Sequence, residues 1–190
     1  MNFHYAERVP VARISFSVFN DKNEWCGVIS YGSGAGDKVA KHFNMAQGQW
    51  CELVRVALNG KQETTSKAVA ISLKLLKKQC PLIKLVYSYA DVDQKHYGTI
   101  YQATNWIYLG QSEPYSSGYI VNGKQMHRRS VSAKLKGKPC NLTNVQKYLD
   151  GNAKEFISEG KRKYVQVFDK TILKKYLKLA KPYPKNAREV

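Results

Sequence analysis

Alternating apolar and polar residues dominate the first part of the chain. Val11–Phe19 carries its apolar side chains at every second position, which is typical of a half-buried β-strand. The polar segment Asp21-Lys22-Asn23 separates it from a second extended segment, Trp25–Tyr31, so the pattern predicts a β-hairpin. Trp50–Leu58 is a third predicted strand. The chain therefore begins with β-structure.

Helical spacing appears first after residue 63. Thr64-Thr65-Ser66 are residue types that cap helix N-termini, and apolar residues then recur every three or four positions. These apolar residues are Val69, Leu73, Leu76 and Cys80. Pro81 ends the predicted helix. Leu82–Tyr89 alternates again and predicts a strand, which gives a strand–helix–strand crossover.

The second half of the chain predicts shorter elements. Asn122-Gly123 is the favoured two-residue turn of a hairpin and lies between apolar segments. The predicted elements are a helix at Thr99–Trp106, a strand at Ile107–Gly110, hairpin strands at Gly118–Val121 and Lys124–Val131, a polar helix at Asn144–Ser158, a strand at Lys163–Phe168 and a helix at Thr171–Lys181. Together they predict a mixed α/β or α+β sheet with a central parallel crossover.

Composition restricts the class of protein further. A chain of 190 residues with 43% hydrophobic residues predicts a single domain, 1–190, with a basic C-terminal extension over about 170–190. No apolar run reaches the roughly 20 residues of a membrane span, and the first residues lack a signal-peptide pattern. We therefore expect an intracellular protein. The four cysteines form no C-x-x-C pair, so they are predicted to be buried apolar residues.

The charge is strongly positive and unevenly distributed. The formal net charge is +17, and no acidic residue lies between Glu113 and Asp150. Aromatic residues are interleaved with the basic ones, which favours a polyanionic partner, usually nucleic acid. One alternative is a solvated basic face without a partner. An anionic membrane would need a basic amphipathic helix, and the only candidate, Thr171–Lys181, has an apolar stripe more simply interpreted as a core face.

Polar residues cluster where the crossover strands are predicted to end. The helix that begins near Ser66 offers free backbone N–H groups and a positive dipole end to an anion, although any well-capped helix has both. Ligands of open α/β sheets bind at the carboxyl ends of the strands. We therefore expect Arg55, Ser66, Asp91 and Tyr101 to converge there.

Three segments in the middle of the chain form a distinctive combination: Glu52-Leu53-Val54-Arg55, Tyr89-Ala90-Asp91 and the run Tyr101-Gln102-Ala103-Thr104-Asn105-Trp106 to Gly110. Together they resemble the Mom family of bacteriophage DNA-modification proteins. The leading segment from His4 to Pro10 and the C-terminal Pro182-Tyr183-Pro184-Lys185 are also similar.

This resemblance implies a fold and a reaction. The fold is an α/β, GCN5-related N-acetyltransferase-like mixed sheet with a central parallel strand pair, flanked by helices. The reaction converts adenine in phage DNA to N6-carbamoylmethyladenine, which protects the DNA from host restriction, in the host cytoplasm. It implies acetyl-CoA as the donor of the two-carbon unit, and it leaves iron open as a second cofactor without assigning ligands. The acetyltransferase pyrophosphate loop is absent, and Leu58–Thr64 stands in its place.

The resemblance also implies site residues. The catalytic ones are His4, Tyr5, Arg55, Asp91 and Tyr101, and those that bind the cofactor are Val54, Val56, Thr65, Ser66, Lys67, Asn105 and Tyr108. Asp91 is expected to orient the adenine amino group or act as a base, and Tyr101 to act as an acid or stack on a base. Structural alternatives remain open: Ser66 as a plain helix cap, Tyr101 as a core residue, and Arg55 paired with Glu52 or Asp91.

The partner is expected to be double-stranded DNA, with no membrane. Its predicted contacts are Lys124, Arg128, Arg129, Lys134 and Lys136. Because adenine N6 is paired inside a duplex, the base must be extruded into a pocket. A homodimer formed by the strands after Gly118 is also left open. Two other functions remain as alternatives, an ordinary acyl-CoA N-acetyltransferase and a non-catalytic basic DNA-binding protein.

Overall fold

The computed structural model describes residues 11–33, 44–46 and 48–185, which form two compact units. Unit 1 comprises the described residues of Met1–Ala90, His96–Gly110 and Arg162–Val190, and unit 2 comprises Asp91–Lys95 and Gln111–Lys161. The elements, in chain order, are β1 (Ile14–Phe19), β2 (Trp25–Gly32), β3 (Trp50–Leu58), α1 (Thr65–Gln79), β4 (Leu85–Asp91), α2 (Thr99–Gln102), β5 (Ile107–Gln111), β6 (Tyr115–Val121), β7 (Lys124–His127), α3 (Arg128–Lys134), α4 (Leu142–Tyr148), β8 (Lys154–Ser158), β9 (Lys161–Val167) and α5 (Lys170–Leu177).

Among the described residues, six strands form one mixed sheet in the order β1-β2-β3-β4-β9-β5. β1 and β2 form the predicted antiparallel hairpin, and β2 pairs antiparallel with β3. β3 and β4, at the centre of this order, are parallel and are joined through α1. The predicted mixed α/β architecture with a central parallel pair is therefore confirmed. The GCN5-like assignment stays a prediction.

Helix α1 begins and ends where its sequence predicts. The side chain of Thr64 accepts a hydrogen bond from Lys67 N at 3.1 Å, which satisfies one of the free N–H groups of the first turn. Val69, Leu73 and Leu76 are buried along one face, and each contributes about 1.5–3 kcal/mol by leaving water. Lys77 and Lys78 lie in the last turn, where positive charge stabilises the helix dipole.

Strand β3 contains a β-bulge at Val54. Ser30 of β2 lies opposite Arg55 but Tyr31 lies opposite Leu53, so β3 has one extra residue between them. An extra residue reverses which face the following side chains occupy. Leu53 before the bulge and Val56 after it consequently pack into the same core as α1. Arg55 falls on the other face of the sheet.

The two faces of this sheet have different cores. The α1 face buries Val69, Val86 and Trp106, among others, and the opposite face buries Trp50, Tyr87 and Tyr176. Both faces are rich in aromatic residues, several of which carry hydroxyl groups that need hydrogen-bond partners. Buried hydroxyl pairs meet this need, such as Tyr31 with Ser72 at 2.7 Å.

Unit 2 has a separate, smaller core. Within it β6 pairs antiparallel with β7 and with β8, and α3 and α4 contribute Val131, Leu135 and Val145 to the buried cluster. Asn141 caps α4, because its side chain accepts a hydrogen bond from Asn144 N at 2.9 Å. The predicted Asn122-Gly123 turn joins β6 to β7 with both residues at positive φ, which this turn type requires.

Two predicted elements of unit 2 are wrong in their extent. The predicted strand Lys124–Val131 stops at His127, whose Nδ1 accepts a hydrogen bond from Arg129 N and so begins α3 instead. The predicted polar helix Asn144–Ser158 is a short helix, α4, followed by the strand β8. A turn at Asp150 separates these two, since its carboxylate accepts hydrogen bonds from Asn122 N and Asn152 N.

Two helices of unit 1 are shorter than predicted. The stretch Thr99–Trp106 is helical only over α2, because Thr104 Oγ1 donates back to Ile100 O and Asn105 takes a positive φ. The predicted Thr171–Lys181 helix is α5, which ends at Leu177. The chain after it packs on unit 1: Lys181 N donates to Tyr108 O, and Tyr183 OH donates to Trp106 O at 2.7 Å.

All four cysteines are free thiols. Cys26 and Cys51 are buried as predicted, whereas Cys80 and Cys140 are only half-buried, so the prediction is wrong for these two. Burial raises the pKa of Cys51 to about 12, which keeps it protonated. None of the described helices is both long and apolar enough to span a bilayer.

Candidate functional site

The parallel strands β3 and β4 separate after a short paired segment. Their register covers three residue pairs, ending at Glu52 opposite Tyr87, although β3 continues through residues 53–58 and β4 through 88–91. Where the strands part, Ser88 Oγ donates to Leu53 O at 2.8 Å. A side chain thus takes the place of the strand hydrogen bond. The bulge at Val54 lies directly after this point and bends β3 further.

Tyr101 supports this opening from the α1 face of the sheet. Its hydroxyl lies 2.9 Å from Ser88 Oγ, and its ring packs 5.1 Å from Trp106 and 4.9 Å from Tyr164. Only 7% of Tyr101 is exposed. Burial raises the pKa of the neighbouring Tyr164 to about 12, so this phenol stays protonated at neutral pH. Tyr101 is therefore a fixed part of the core beside the opening.

A groove of about 520 Å³ runs along α1 in unit 1. Its lining comes from α1, from the segment after α2 and from the end of β9, and comprises Ser66, Lys67, Ala70, Leu73, Lys74, Lys77, Ala103, Thr104, Asn105, Gln166, Val167 and Phe168. The lysines give one wall a positive charge, and Phe168 offers an aromatic face, with Lys77 Nζ 5.8 Å from its ring centroid. This combination suits a phosphorylated aromatic ligand.

One residue of the groove wall carries a buried acceptor atom that has no partner in the described part of the chain. Gln166 Oε1 is buried and makes no hydrogen bond to any described residue. Buried polar atoms are almost always paired, so such an atom at a groove wall indicates a donor supplied by a ligand or by water. An amino group on a heterocyclic ring is one such donor.

The first turn of α1 lies at one end of the groove. Backbone N–H groups of Thr65 and Ser66 have no acceptor inside the helix, as at every helix N-terminus. Thr65 Oγ1 accepts a hydrogen bond from Gln62 Nε2 at 3.1 Å, and Lys67 forms an ion pair with Glu63. Ser66 and Lys67 also line the groove. These groups form an anion-binding end to a cationic groove.

Arg55 lies on β3 just past the bulge, on the face opposite α1. Glu52 precedes the bulge on that same face, and its carboxylate accepts a hydrogen bond from Tyr87 OH at 3.1 Å. The Tyr87 ring is itself held between Trp50 and Tyr89, with centroids 5.4 and 5.5 Å away. This face of the opening therefore combines charged groups with aromatic walls.

Asp91 is the last residue of β4 and is grouped with unit 2. Its carboxylate accepts a hydrogen bond from Asp93 N at 3.1 Å, and Asp93 in turn accepts one from Glu159 N at 3.0 Å. These bonds hold the turn after β4 in a defined conformation. Asp91 itself is half-buried.

The predicted DNA contacts lie on unit 2. Lys124, Arg128, Arg129, Lys134 and Lys136 are all exposed. Among the described residues the recorded ion pairs are Lys67 with Glu63 and Lys84 with Asp169, both in unit 1. The basic side chains of unit 2 are thus not neutralised by ion pairs within the described part of the chain. Such a surface attracts polyanions.

Some predicted site residues are brought together and others are not. Ser66, Lys67 and Asn105 line one groove, whereas Val54 and Val56 lie on the part of β3 that does not pair with β4 and Tyr108 is buried with its ring 5.0 Å from Tyr164. Arg55 lies on the face opposite α1, so it does not join Ser66 in this groove as predicted. His4 and Tyr5 lie outside the described residues. Sequence reasoning missed Lys74, Lys77, Ser88 and Gln166. The two lysines were detectable, since they follow Ser66 and Lys67 at helical spacing.

Comparison with protein families shows which family the chain belongs to. The Mom protein family model matches residues 1–185. The chain belongs to the Mom protein family. A relative is the methylcarbamoylase Mom of Escherichia phage Mu, which is 25% identical over 192 residues, covering 96% of this chain and 76% of that protein. The resemblance read from the Asp91 to Gly110 segment is thereby confirmed for this Mom chain.

Within the described residues, no group of three or more His, Cys, Asp or Glu side chains is arranged to hold a metal ion. Iron as a cofactor stays a prediction, and its ligands are unassigned.

Proposed function

We propose that this Mom chain modifies adenine in DNA, converting it to N6-carbamoylmethyladenine with a two-carbon unit taken from acetyl-CoA, and so protects phage DNA from host restriction. The observation that carries the proposal is the match of the Mom family model to nearly the whole chain. The name of the phage Mu relative, a methylcarbamoylase, supports the same chemistry.

The groove of unit 1 fits the nucleotide end of coenzyme A. Ser66 and Lys67 at the start of α1 would hold the pyrophosphate, with Lys74 and Lys77 along the wall for a further phosphate. Gln166 Oε1, buried without a partner among described residues, would accept a hydrogen bond from the adenine amino group of the carrier. When bound, the carrier supplies an activated two-carbon unit.

The segments of β3 and β4 that no longer pair with each other suit the arm of such a carrier. Residues 53–58 of β3 pair with β2 but lie past the last residue that pairs with β4, and Val54 and Val56 belong to this segment. An extended ligand that carries amide groups pairs with free strand backbone as an added strand does. Ser88 holds Leu53 O and so fixes where the opening begins.

The remaining site residues take roles that match their positions. Arg55, on the face away from α1, would clamp a phosphate or carboxylate through its planar guanidinium. Asp91 would orient the adenine amino group or accept its proton. Tyr101 would act through Ser88 as a positioning residue, since its ring is already stacked and its hydroxyl lies within hydrogen-bond distance of Ser88. His4 and Tyr5 complete the proposed set on the resemblance alone.

Unit 2 would hold the DNA. Its exposed basic residues Lys124, Arg128, Arg129, Lys134 and Lys136 would contact phosphates, which releases counterions and makes binding depend steeply on salt. Extrusion of the target base then exposes its amino group.

The decisive experiment is mass spectrometry of nucleosides from DNA co-expressed with the full chain. The proposal expects deoxyadenosine to gain the mass of one carbamoylmethyl group. DNA from cells expressing the Asp91→Asn variant, confirmed folded by circular dichroism, should lack this nucleoside. Unmodified adenine with the wild-type chain, under conditions replete in acetyl-CoA and iron, would contradict the proposal and favour a non-catalytic DNA-binding protein.

A further inference from the structure

An exposed tyrosine of unit 2 lies between two lysines. Tyr148, the last residue of α4, is 47% exposed. Lys138 Nζ lies 4.8 Å and Lys147 Nζ 5.4 Å from the centroid of its ring. A single cation over an aromatic face is common, but here two positive charges share one ring and repel each other. A negative group bound beside the two lysines would offset this repulsion.

This cluster, which we call the Tyr148 clamp (Lys138, Lys147 and Tyr148), is held in place by unit 2. Asn144 Nδ2 donates to Pro139 O at 2.8 Å, which ties the segment carrying Lys138 to α4. Val145 on α4 is fully buried in the unit 2 core. The backbone that carries the exposed ring is therefore held in place by the core of unit 2. The long side chains of the two lysines are exposed to solvent.

No acid near the clamp in sequence is free to neutralise it. The acid-free stretch between Glu113 and Asp150 includes the whole clamp. Asp150 follows Tyr148 by two positions. Both of its carboxylate oxygens accept hydrogen bonds, one from Asn122 N and the other from Asn152 N. These hydrogen bonds lower the pKa of Asp150, so it stays ionised but committed to the turn. Glu155 is bonded to Ser116.

We propose that the Tyr148 clamp is a binding site for an unstacked DNA base, with the Tyr148 ring stacked on the base and Lys138 and Lys147 on its two flanking phosphates. The choice of DNA as the polyanion rests on the proposed function. Aromatic rings beside mobile cations are how proteins hold single-stranded nucleic acid, because every base has a face on which an aromatic ring stacks. A stably paired duplex offers no such face along its length, so the clamp selects single-stranded or locally opened DNA.

The test measures binding of the full chain to a single-stranded oligonucleotide that contains 2-aminopurine, whose fluorescence is quenched by stacking. Wild-type protein should quench it on binding. Tyr148→Ala should abolish the quenching and weaken binding roughly tenfold or more, whereas Tyr148→Phe should retain both. Tyr115→Ala is the matched control, because Tyr115 is also in unit 2 and is 40% exposed but has no cation–π contact among the described residues.

The lysines are tested separately through salt dependence. Lys138→Gln and Lys147→Gln should each lower the slope of log affinity against log salt by about 0.7, as expected for one lost phosphate contact on a single strand. Quenching at saturation should persist in both. The inference is overturned if Tyr148→Ala quenches like wild type, if Tyr115→Ala loses as much, or if the wild-type chain binds only duplex. None of these outcomes depends on whether modified adenine is found, so the clamp and the catalytic proposal fail independently.

Discussion

Unit 1 and unit 2 differ in where their polar side chains lie and in how these are paired. Unit 1 buries many of its hydroxyls and pairs them inside the core, as in Tyr31 with Ser72 and Tyr101 with Ser88. Unit 2 has a small core, including Val121, Val131 and Val145, and leaves its basic side chains exposed. A core crossed by hydrogen bonds is rigid and suits the placement of reacting groups. A basic surface whose charges are not neutralised by ion pairs attracts a polyanion through long-range electrostatic forces.

The largest expected effect separates the reaction from DNA binding at Asp91, a proposed catalytic residue that is grouped with unit 2. Asp91→Asn should reduce adenine modification by at least roughly a hundredfold, because it removes the carboxylate proposed to handle the amino proton. Affinity for duplex DNA should stay within about twofold. Modified nucleoside is measured by mass spectrometry and binding by fluorescence anisotropy. Glu113→Gln, which changes an exposed acid of the same unit, should change neither.

A smaller but still large effect tests whether DNA affinity belongs to unit 2. The triple variant Arg128→Gln, Arg129→Gln, Lys134→Gln should weaken duplex binding roughly tenfold or more near physiological salt, and lower the salt slope by about 2.7 for three phosphates. The charge-matched control is Lys174→Gln, Lys175→Gln, Lys178→Gln on and after α5 of unit 1. Equal losses in both triples would mean that net charge alone, and not unit 2, holds the DNA.

A variant of moderate expected effect tests whether acetyl-CoA binds in the groove of unit 1. Lys74→Gln with Lys77→Gln should raise KM for acetyl-CoA roughly fivefold and leave kcat within about twofold, since these lysines line the groove but not the opening between β3 and β4. Lys78→Gln is the matched control, as it is exposed on the same helix but does not line the groove. An unchanged KM in the double variant would remove the carrier from this groove.

The smallest effect concerns alkaline stability. Burial raises the pKa of Tyr164 and of Tyr176 to about 12 in the folded chain, against about 10 when unfolded. The unfolded chain therefore loses these protons first as pH rises, so their contribution to stability should be constant below about pH 10 and fall between 10 and 12. The buried thiol of Cys51, whose pKa is raised to about 12, adds a fall that begins near pH 9. Urea unfolding midpoints at stepped pH measure this. Tyr148→Phe, which changes an exposed phenol, should leave the profile unchanged, and a midpoint that rises above pH 10 would contradict it.

Much of unit 1 could be predicted because its local signals agree with its packing. The bounds of β3 match the predicted Trp50–Leu58, and Thr64 caps α1 as its residue type suggests. Short elements were harder. The residues after His127 alternate like a strand, yet a side-chain cap and the four-residue spacing of Val131 and Leu135 make them a helix with a buried face. Burial of one helix face determined the secondary structure of this segment, and burial cannot be deduced from a local pattern of residues.

The candidate site was predictable as a location rather than as a set of contacts. Residue types identified Ser66 and Asn105, and the structure brings them to one groove. Gln166 joins that groove from β9, more than sixty residues along the chain from Asn105, so no spacing rule could have linked them. The role of Ser88 likewise depends on Leu53 lying across the sheet.

The single extra residue in β3 has a consequence for how this chain tolerates change. Deleting Val54 would restore strict alternation and leave the neighbouring side chains on their present faces, because Leu53 already lies opposite Tyr31 and Arg55 opposite Ser30. The deletion would instead remove the bend at the point where β3 and β4 separate. A chain shortened by this residue should therefore keep its core and lose the opening between the two strands, whereas an insertion between Arg55 and Val56 would drive Val56 and Leu58 out of the core.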